Sequence, residues 1–289
     1  MIAQPDAWRK TRERKNLIFK GLCFFAAMIA SLLLVTLLFF ILRDGLGRLN
    51  WDFITSFPSR RAARAGIYAS LMGTLWIVGL TALFAIPVGI AAAIYLEEIA
   101  PKNRITRFIE VNIANLAGVP SIIYGLLGLA VFVRFFGFNR SILAASLTMT
   151  LLVLPTVIIT CQEALRAVSK SLREGSLALG ATPWQTILRQ TLPSAIPGIM
   201  TGMILSISRA IGETAPLIAV GAVVFVQTAP KGPSDTFTAL PIQIFDWSSR
   251  PQAAFHENAA AGIIVLLAVL FAMNFLAIIT RNWARKRLS

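Results

Sequence analysis

The stretch Ser208–Pro216 reads SRAIGETAP and lies inside a long apolar segment, where Arg209 and Glu213 are the only charges between Pro197 and Val226. On a helix, residues four apart share one face at a spacing of about 6 Å, so the two side chains can pair. A charge near the centre of a bilayer costs about 2.5 to 3.5 kcal/mol on insertion scales, so both groups must face protein or water. Two uses fit: an ion pair that locks neighbouring helices, or the wall of an ion pathway, and we prefer the pathway. Ser208 and Thr214, which flank the charges, count as candidate lining with them, while Gly212 and Pro216 weaken the helix just there.

Working outward, the composition sets the class. Of 289 residues 56% are hydrophobic and only 14% charged, and the mean hydropathy is +0.73. That balance excludes an ordinary water-soluble domain. Apolar runs at 18–42, 68–96, 111–133, 141–160, 197–226 and 259–280 predict an all-α, polytopic membrane protein with six transmembrane helices. The first run is about 25 residues long, longer than a signal-peptide core, and Arg43-Asp44-Gly45 offers no small-x-small cleavage site, so an uncleaved first span is expected. The net charge of +14 would suit a nucleic-acid binder, but the basic residues sit in short loops rather than one patch. No nucleic-acid role is expected.

Six spans put both ends on one side. The tails and the loops after spans two and four carry 17 Lys and Arg, against 9 in the other loops, which predicts both termini in the cytoplasm. The organisation is then a basic tail at 1–17, a first span at 18–42, an outer interfacial loop at 43–67, a core at 68–280 and a basic tail at 281–289. The outer loop holds Arg60, Arg61 and Arg64, against the positive-inside rule, and reads either as an attraction for an anion or acidic partner or as solvated surface. Cys23 and Cys161 both fall in spans and read as inert core residues, and His256 stands alone in a polar loop, so no metal site is expected.

A second unusual stretch, Ala117–Gly125, reads AGVPSIIYG. Gly118, Pro120, Ser121 and Gly125 would kink span three and free backbone groups, which at membrane depth must be buried in protein or wetted by a cavity. Pro120, Ser121 and Tyr124 are therefore candidate pathway residues, with a simple packing kink as the other reading. Between Gln162 and Ala195 the chain should leave the membrane for its longest cytoplasmic loop, a helical hairpin at 163–195. Gly180 reads as a C-cap, and Thr182-Pro183 as an N-cap with proline at the first helical position. The hairpin suits docking to another protein, or else lies on the membrane surface.

The hairpin sequence from Glu174 to Pro193, EGSLALGATPWQTILRQTLP, resembles the cytoplasmic "EAA" loop of ABC import permeases. Glu174, Gly180, Leu192 and Pro193 match that pattern in register, while Gly175 and Ser176 replace its alanines and Gln190 its isoleucine. With AGVPSIIYG and SRAIGETAPLI, the chain from Tyr68 onward is similar to the permease subunits of bacterial phosphate ABC importers. The resemblance implies a multi-pass subunit of the bacterial inner membrane that pairs with a second permease, above a dimer of ATP-binding subunits, and receives phosphate from an extracytoplasmic phosphate-binding protein. It implies that Glu174, Gly175, Ser176, Gly180, Ala181, Thr182, Pro183, Trp184, Leu192 and Pro193 form the surface that couples to the ATPase. No cofactor is expected in this chain and no enzymatic activity. ATP and Mg would sit on the partner, since no G-x-x-x-x-G-K-[ST] phosphate loop is present. Alternatives are a permease for sulfate, molybdate or phosphonate, a membrane enzyme using Glu213 as acid or base, and a sensor that signals through the hairpin.

Overall fold

The computed structural model describes residues 6–223, 225–226 and 228–288. The first five residues of the predicted basic tail, Val224 in predicted span five, Gln227 and Ser289 lie outside the described residues. The described helices are α1 (Asp6–Gly45), α2 (Trp51–Thr55), α3 (Tyr68–Ile94), α4 (Arg104–Ala117), α5 (Ser121–Gly128) and α6 (Ile142–Arg166). They continue with α7 (Lys170–Ala178), α8 (Pro183–Thr186), α9 (Leu192–Ile211), α10 (Ala215–Val220), α11 (Leu240–Ser248) and α12 (Ala253–Leu288). π-helical turns extend α3 at Tyr95–Ile99, α5 at Leu129–Phe135 and α8 at Ile187–Thr191. By length and apolarity five helices can cross a membrane, and α4 with α5 can supply a sixth.

α6 is the central post. Its small and hydroxylated residues Ala144, Ala145, Ser146 and Thr148 are buried, and α3, α9, α4, α5 and α10 all pack around it. Ser146, Thr148 and Thr150 satisfy their hydroxyls on carbonyls four residues back, so polar groups enter the core without a penalty. α1 is the opposite case: it packs along α12, and most of its apolar residues from Leu17 to Leu42 are exposed. In a membrane protein that face belongs to lipid. It corrects one expectation, because Cys23 is exposed on α1 while only Cys161 is a core residue.

Two predicted spans and one arm of the predicted hairpin change on folding. Span three is not a kinked rod: α4 and α5 meet at 101°, because Gly118 ends α4 and Pro120 cannot donate to its carbonyls. Span five does not run to Val226. Its helix stops at Ile211, where 3₁₀-like bonds from Gly212 N to Arg209 O and Glu213 N to Ala210 O close the end, and Pro216 starts a separate helix, α10. The hairpin's second arm is not a short detached helix either, since α8, the π turn and α9 form one continuous helix from Pro183 to Ile211. The wide π turn directly precedes Pro193, whose missing N–H and bulky ring disfavour a regular α turn.

The segment between predicted spans five and six is internal in its middle part: Phe237, Thr238, Ala239, Leu240 and Gln243 are buried, and a short helix, α11, forms there. The segment before α11 satisfies free donors at the start of α6, where Asp235 O and Pro233 O accept from Ile142 N and Leu143 N, and the first donor of α11, Leu240 N, is satisfied in turn by Thr74 Oγ1 of α3. On the same side Asn50 caps α2, Arg48 hydrogen-bonds Asn258 and the Ala62, Ala63 and Ala65 carbonyls, and Arg60, Arg61 and Arg64 remain exposed. His256 Nε2 lies 2.6 Å from the Arg250 carbonyl, and no cluster of metal-ligating side chains occurs among the described residues.

Candidate functional site

The two helix breaks read from the sequence come together. α5 and α10, which follow the breaks, pack on each other, and a Cβ at Gly125 would lie 2.7 Å from Pro216 Cα and Ala219 Cβ. Only glycine permits that approach. Across the first break the Tyr124 hydroxyl donates to the Leu116 carbonyl at 2.8 Å, an acceptor it shares with Val119 N at 3.1 Å. Beside this contact is a cavity of about 20 Å³ lined by Leu116, Val119 and Tyr124, by Leu152, Val153 and Thr156 of α6, and by Ser206 and Arg209 of α9. It has room for about one water molecule.

Arg209 sits in the last turn of α9, where a cation also offsets the negative end of the helix dipole. Its Nε lies 3.6 Å from Glu213 Oε1, too far for a good hydrogen bond, and its side chain is 65% exposed against 17% for the glutamate. The guanidinium therefore keeps most of its five donors free. Tyr124 and Arg209 line the cavity; Pro120 and Ser121 follow Val119 in the chain but are not part of its lining, and Thr214 is the N-cap of α10. Ser208 faces elsewhere: it hydrogen-bonds Asn274 Oδ1 of α12 at 2.5 Å, beside an apolar groove on another side of α9.

The hairpin forms as its local signals require. Gly180, at φ +84°, lets Gly180 N reach Leu177 O and Ala181 N reach Ser176 O, the paired bonds of a Schellman turn. Thr182 and Gln185 then form a reciprocal capping box at the start of α8. Ser176 Oγ and Thr186 Oγ1, 3.0 Å apart, tie the two arms together. Glu174, Gly175, Pro183 and Trp184 are exposed, and Leu179 at the tip is 91% exposed. Ala181 is half-buried, as are Leu192 and Pro193 where the second arm enters the body. An uncovered leucine and tryptophan at the end of a well-capped turn form a surface suited to a partner.

The sequence pattern described as "Binding-protein-dependent transport system inner membrane component" matches residues 85–289, which include the whole hairpin and both breaks. The chain belongs to this family. It is 34% identical over 265 residues to the "Probable ABC transporter permease protein YqgI" of Bacillus subtilis, covering 87% of this chain and 89% of that one. It is 33% identical over 286 residues to the "Phosphate transport system permease protein PstA 1" of Mycobacterium tuberculosis, covering 96% and 91%. Among solved structures, a chain of a bacterial alginate ABC transporter aligns with a TM-score of 0.64 at 19% identity over 93% of this chain and 94% of that one. A chain of the MetNI methionine ABC transporter aligns with a TM-score of 0.62 at 18% identity, over 74% and 94%. At those identities the structures establish the fold of this inner-membrane component.

Sequence reading missed one charged cluster of this family member. Glu97, Glu98 and Glu110 meet Arg166 and Arg173 at the hairpin end of the molecule, joining residues up to 75 positions apart. No local signal announces such a pairing.

Proposed function

We propose that this membrane component is a permease subunit of an ATP-driven importer of inorganic phosphate, working by alternating access with a second permease, a dimer of ATP-binding subunits and an extracytoplasmic phosphate-binding protein. The observation that carries the reading is Arg209, a largely exposed guanidinium at the end of a membrane helix, beside a cavity built from two broken helices. A forked guanidinium suits phosphate oxygens, which take two parallel hydrogen bonds. The names of several relatives point to the same anion.

Arg209 would meet the anion in a chamber shared with the second permease, since its side chain is directed out of this chain. Glu213 would orient the arginine and offset its charge, keeping the anion's hold weak enough for release. Thr214, Ser121 and Tyr124 would line the same chamber, and the break at Pro120 would shape it. A cavity of about 20 Å³ is too small for phosphate, so the broken helices must separate for the anion to enter. ATP and Mg bind on the partner subunits in this scheme. The hairpin, with Trp184 and Leu179 exposed, would dock there, which places both chain ends in the cytoplasm as the Lys and Arg count expects.

The test is ATP-driven uptake of labelled phosphate by vesicles holding the assembled complex, challenged with excess sulfate, molybdate and phosphonate. We expect uptake unaffected by the three competitors, and an Arg209→Gln loss of about 10- to 100-fold, the scale of a lost hydrogen bond to a charged group. Normal uptake in the variant removes Arg209 from the path. Uptake of a competitor in place of phosphate keeps the importer and replaces its substrate.

A further inference from the structure

Glu97 and Glu98 lie in the π turn that ends the α3 rod before Pro101, and each engages an arginine from another element. Arg166, in the last turn of α6, donates from Nε to Glu97 at 2.7 Å and from Nη2 to Glu110 of α4 at 3.2 Å. Gln162 adds a hydrogen bond to the same Glu110 oxygen at 3.3 Å. Arg173, on the hairpin's first arm α7, uses one Nη2 to reach both Glu98 Oε1 at 2.6 Å and the Leu165 carbonyl at 2.7 Å. α7 otherwise packs mainly on the hairpin's own second arm. Arg173 is thus what fastens the first arm to the ends of α3 and α6.

The two pairs differ in setting. Arg166 is about half exposed and borders an open cavity of about 410 Å³ lined by Lys102, Arg107 and Glu110, where solvent screens it. Glu98 and Arg173 are only 10% and 22% exposed, so their attraction is screened far less. Arg173 Nε is buried without an acceptor, a residual cost that a contact remade during movement can carry.

We propose that the Arg173–Glu98 pair, backed by Arg166, Glu97 and Glu110, is the tie through which the hairpin's first arm carries α3 and α4 with it. This rests on the transport reading, because a partner ATPase is what would move the hairpin. α4 ends at Leu116 and Ala117 in the wall of the Arg209 cavity, so its displacement reshapes that wall. Without the tie, movement would pass along the second arm into α9 and through the short link at 167–169 into α6, with no side-chain connection from the first arm to the end of α3.

The experiment uses the complex assembled with its ATPase and binding protein in vesicles, comparing the parent chain, Glu98→Gln, and the exchange Glu98→Arg with Arg173→Glu. Glu98→Gln should lower anion moved per ATP hydrolysed about tenfold while the amount of co-purifying ATPase is unchanged, and the exchange should restore most of the ratio. An unchanged ratio in Glu98→Gln overturns the tie. So does a loss that tracks reduced assembly and is not rescued by the exchange, which marks a purely structural pair. A second readout needs no phosphate: spin labels at Ser171 on α7 and Asn112 on α4, with Cys23 and Cys161 replaced. Their separation should hold between the nucleotide-free and ATP-trapped states of the parent and change in Glu98→Gln. A separation that changes in the parent overturns the tie. Absence of phosphate uptake by the parent would instead remove the transport reading, with the label distances still deciding the mechanical one.

Discussion

Arg209 and Glu213 stand 3.6 Å apart with the arginine 65% exposed, whereas Arg173 and Glu98 stand 2.6 Å apart with the arginine 22% exposed. Both are Arg–Glu pairs, and composition alone would treat them alike. The first leaves guanidinium donors uncommitted beside a cavity, which suits the proposed role of taking and releasing an anion. The second has a donor committed to two acceptors on two elements, as a joint between elements requires. Separation and exposure, more than residue type, distinguish a binding charge from a fastening one.

The contrast is open to direct attack through the unfolding of the purified chain in a denaturing detergent titration. The largest expected effect is from Arg173→Met, which strands a mostly buried carboxylate. It should lower stability by about 1–3 kcal/mol, a buried-pair penalty discounted for partial exposure. Gly180→Ala comes next, at about 1 kcal/mol, because an L-residue is strained at φ +84°. Its signature is faster amide exchange confined to the hairpin. The smallest is Glu213→Gln, within about 0.5 kcal/mol, since its pair is long and its arginine solvated. If Glu213→Gln proved the most destabilising of the three, the Arg209 pair would be a structural lock and the comparison would collapse.

What the sequence made legible was local. Gly180, Thr182 and Pro183 specify a Schellman turn and a capping box within a few residues, and both formed where expected. Gly118 and Pro120 announced a break, but its 101° angle depends on α5 packing against α10, which lies some ninety residues further along. The end of α9 was hidden for another reason. Apart from Glu213 and Thr214, apolarity continues from Ile211 to Val226, and a hydropathy pattern follows environment, whereas the helix stops for backbone reasons at Gly212 and Pro216. The placement of α11 and of the segment before it was invisible because their partners, Thr74, Ile142 and Leu143, are distant in sequence. The same holds for Glu98 and Arg173. Of the candidate pathway residues, Arg209 and Tyr124 line the cavity and Glu213 lies beside Arg209, while Ser208 bonds Asn274 of α12.

The unbroken helix from Pro183 to Ile211 behaves as a lever. At 29 residues it is roughly 40 Å long, with the exposed hairpin arm at one end and Arg209 at the other. Pivoting near the hairpin by about 5° would swing the Arg209 end through about 3 Å, comparable to a hydrogen-bond length. Angular play too small to disturb the packing of a single turn is thus amplified by length alone into a displacement that can make or sever a contact with an ion.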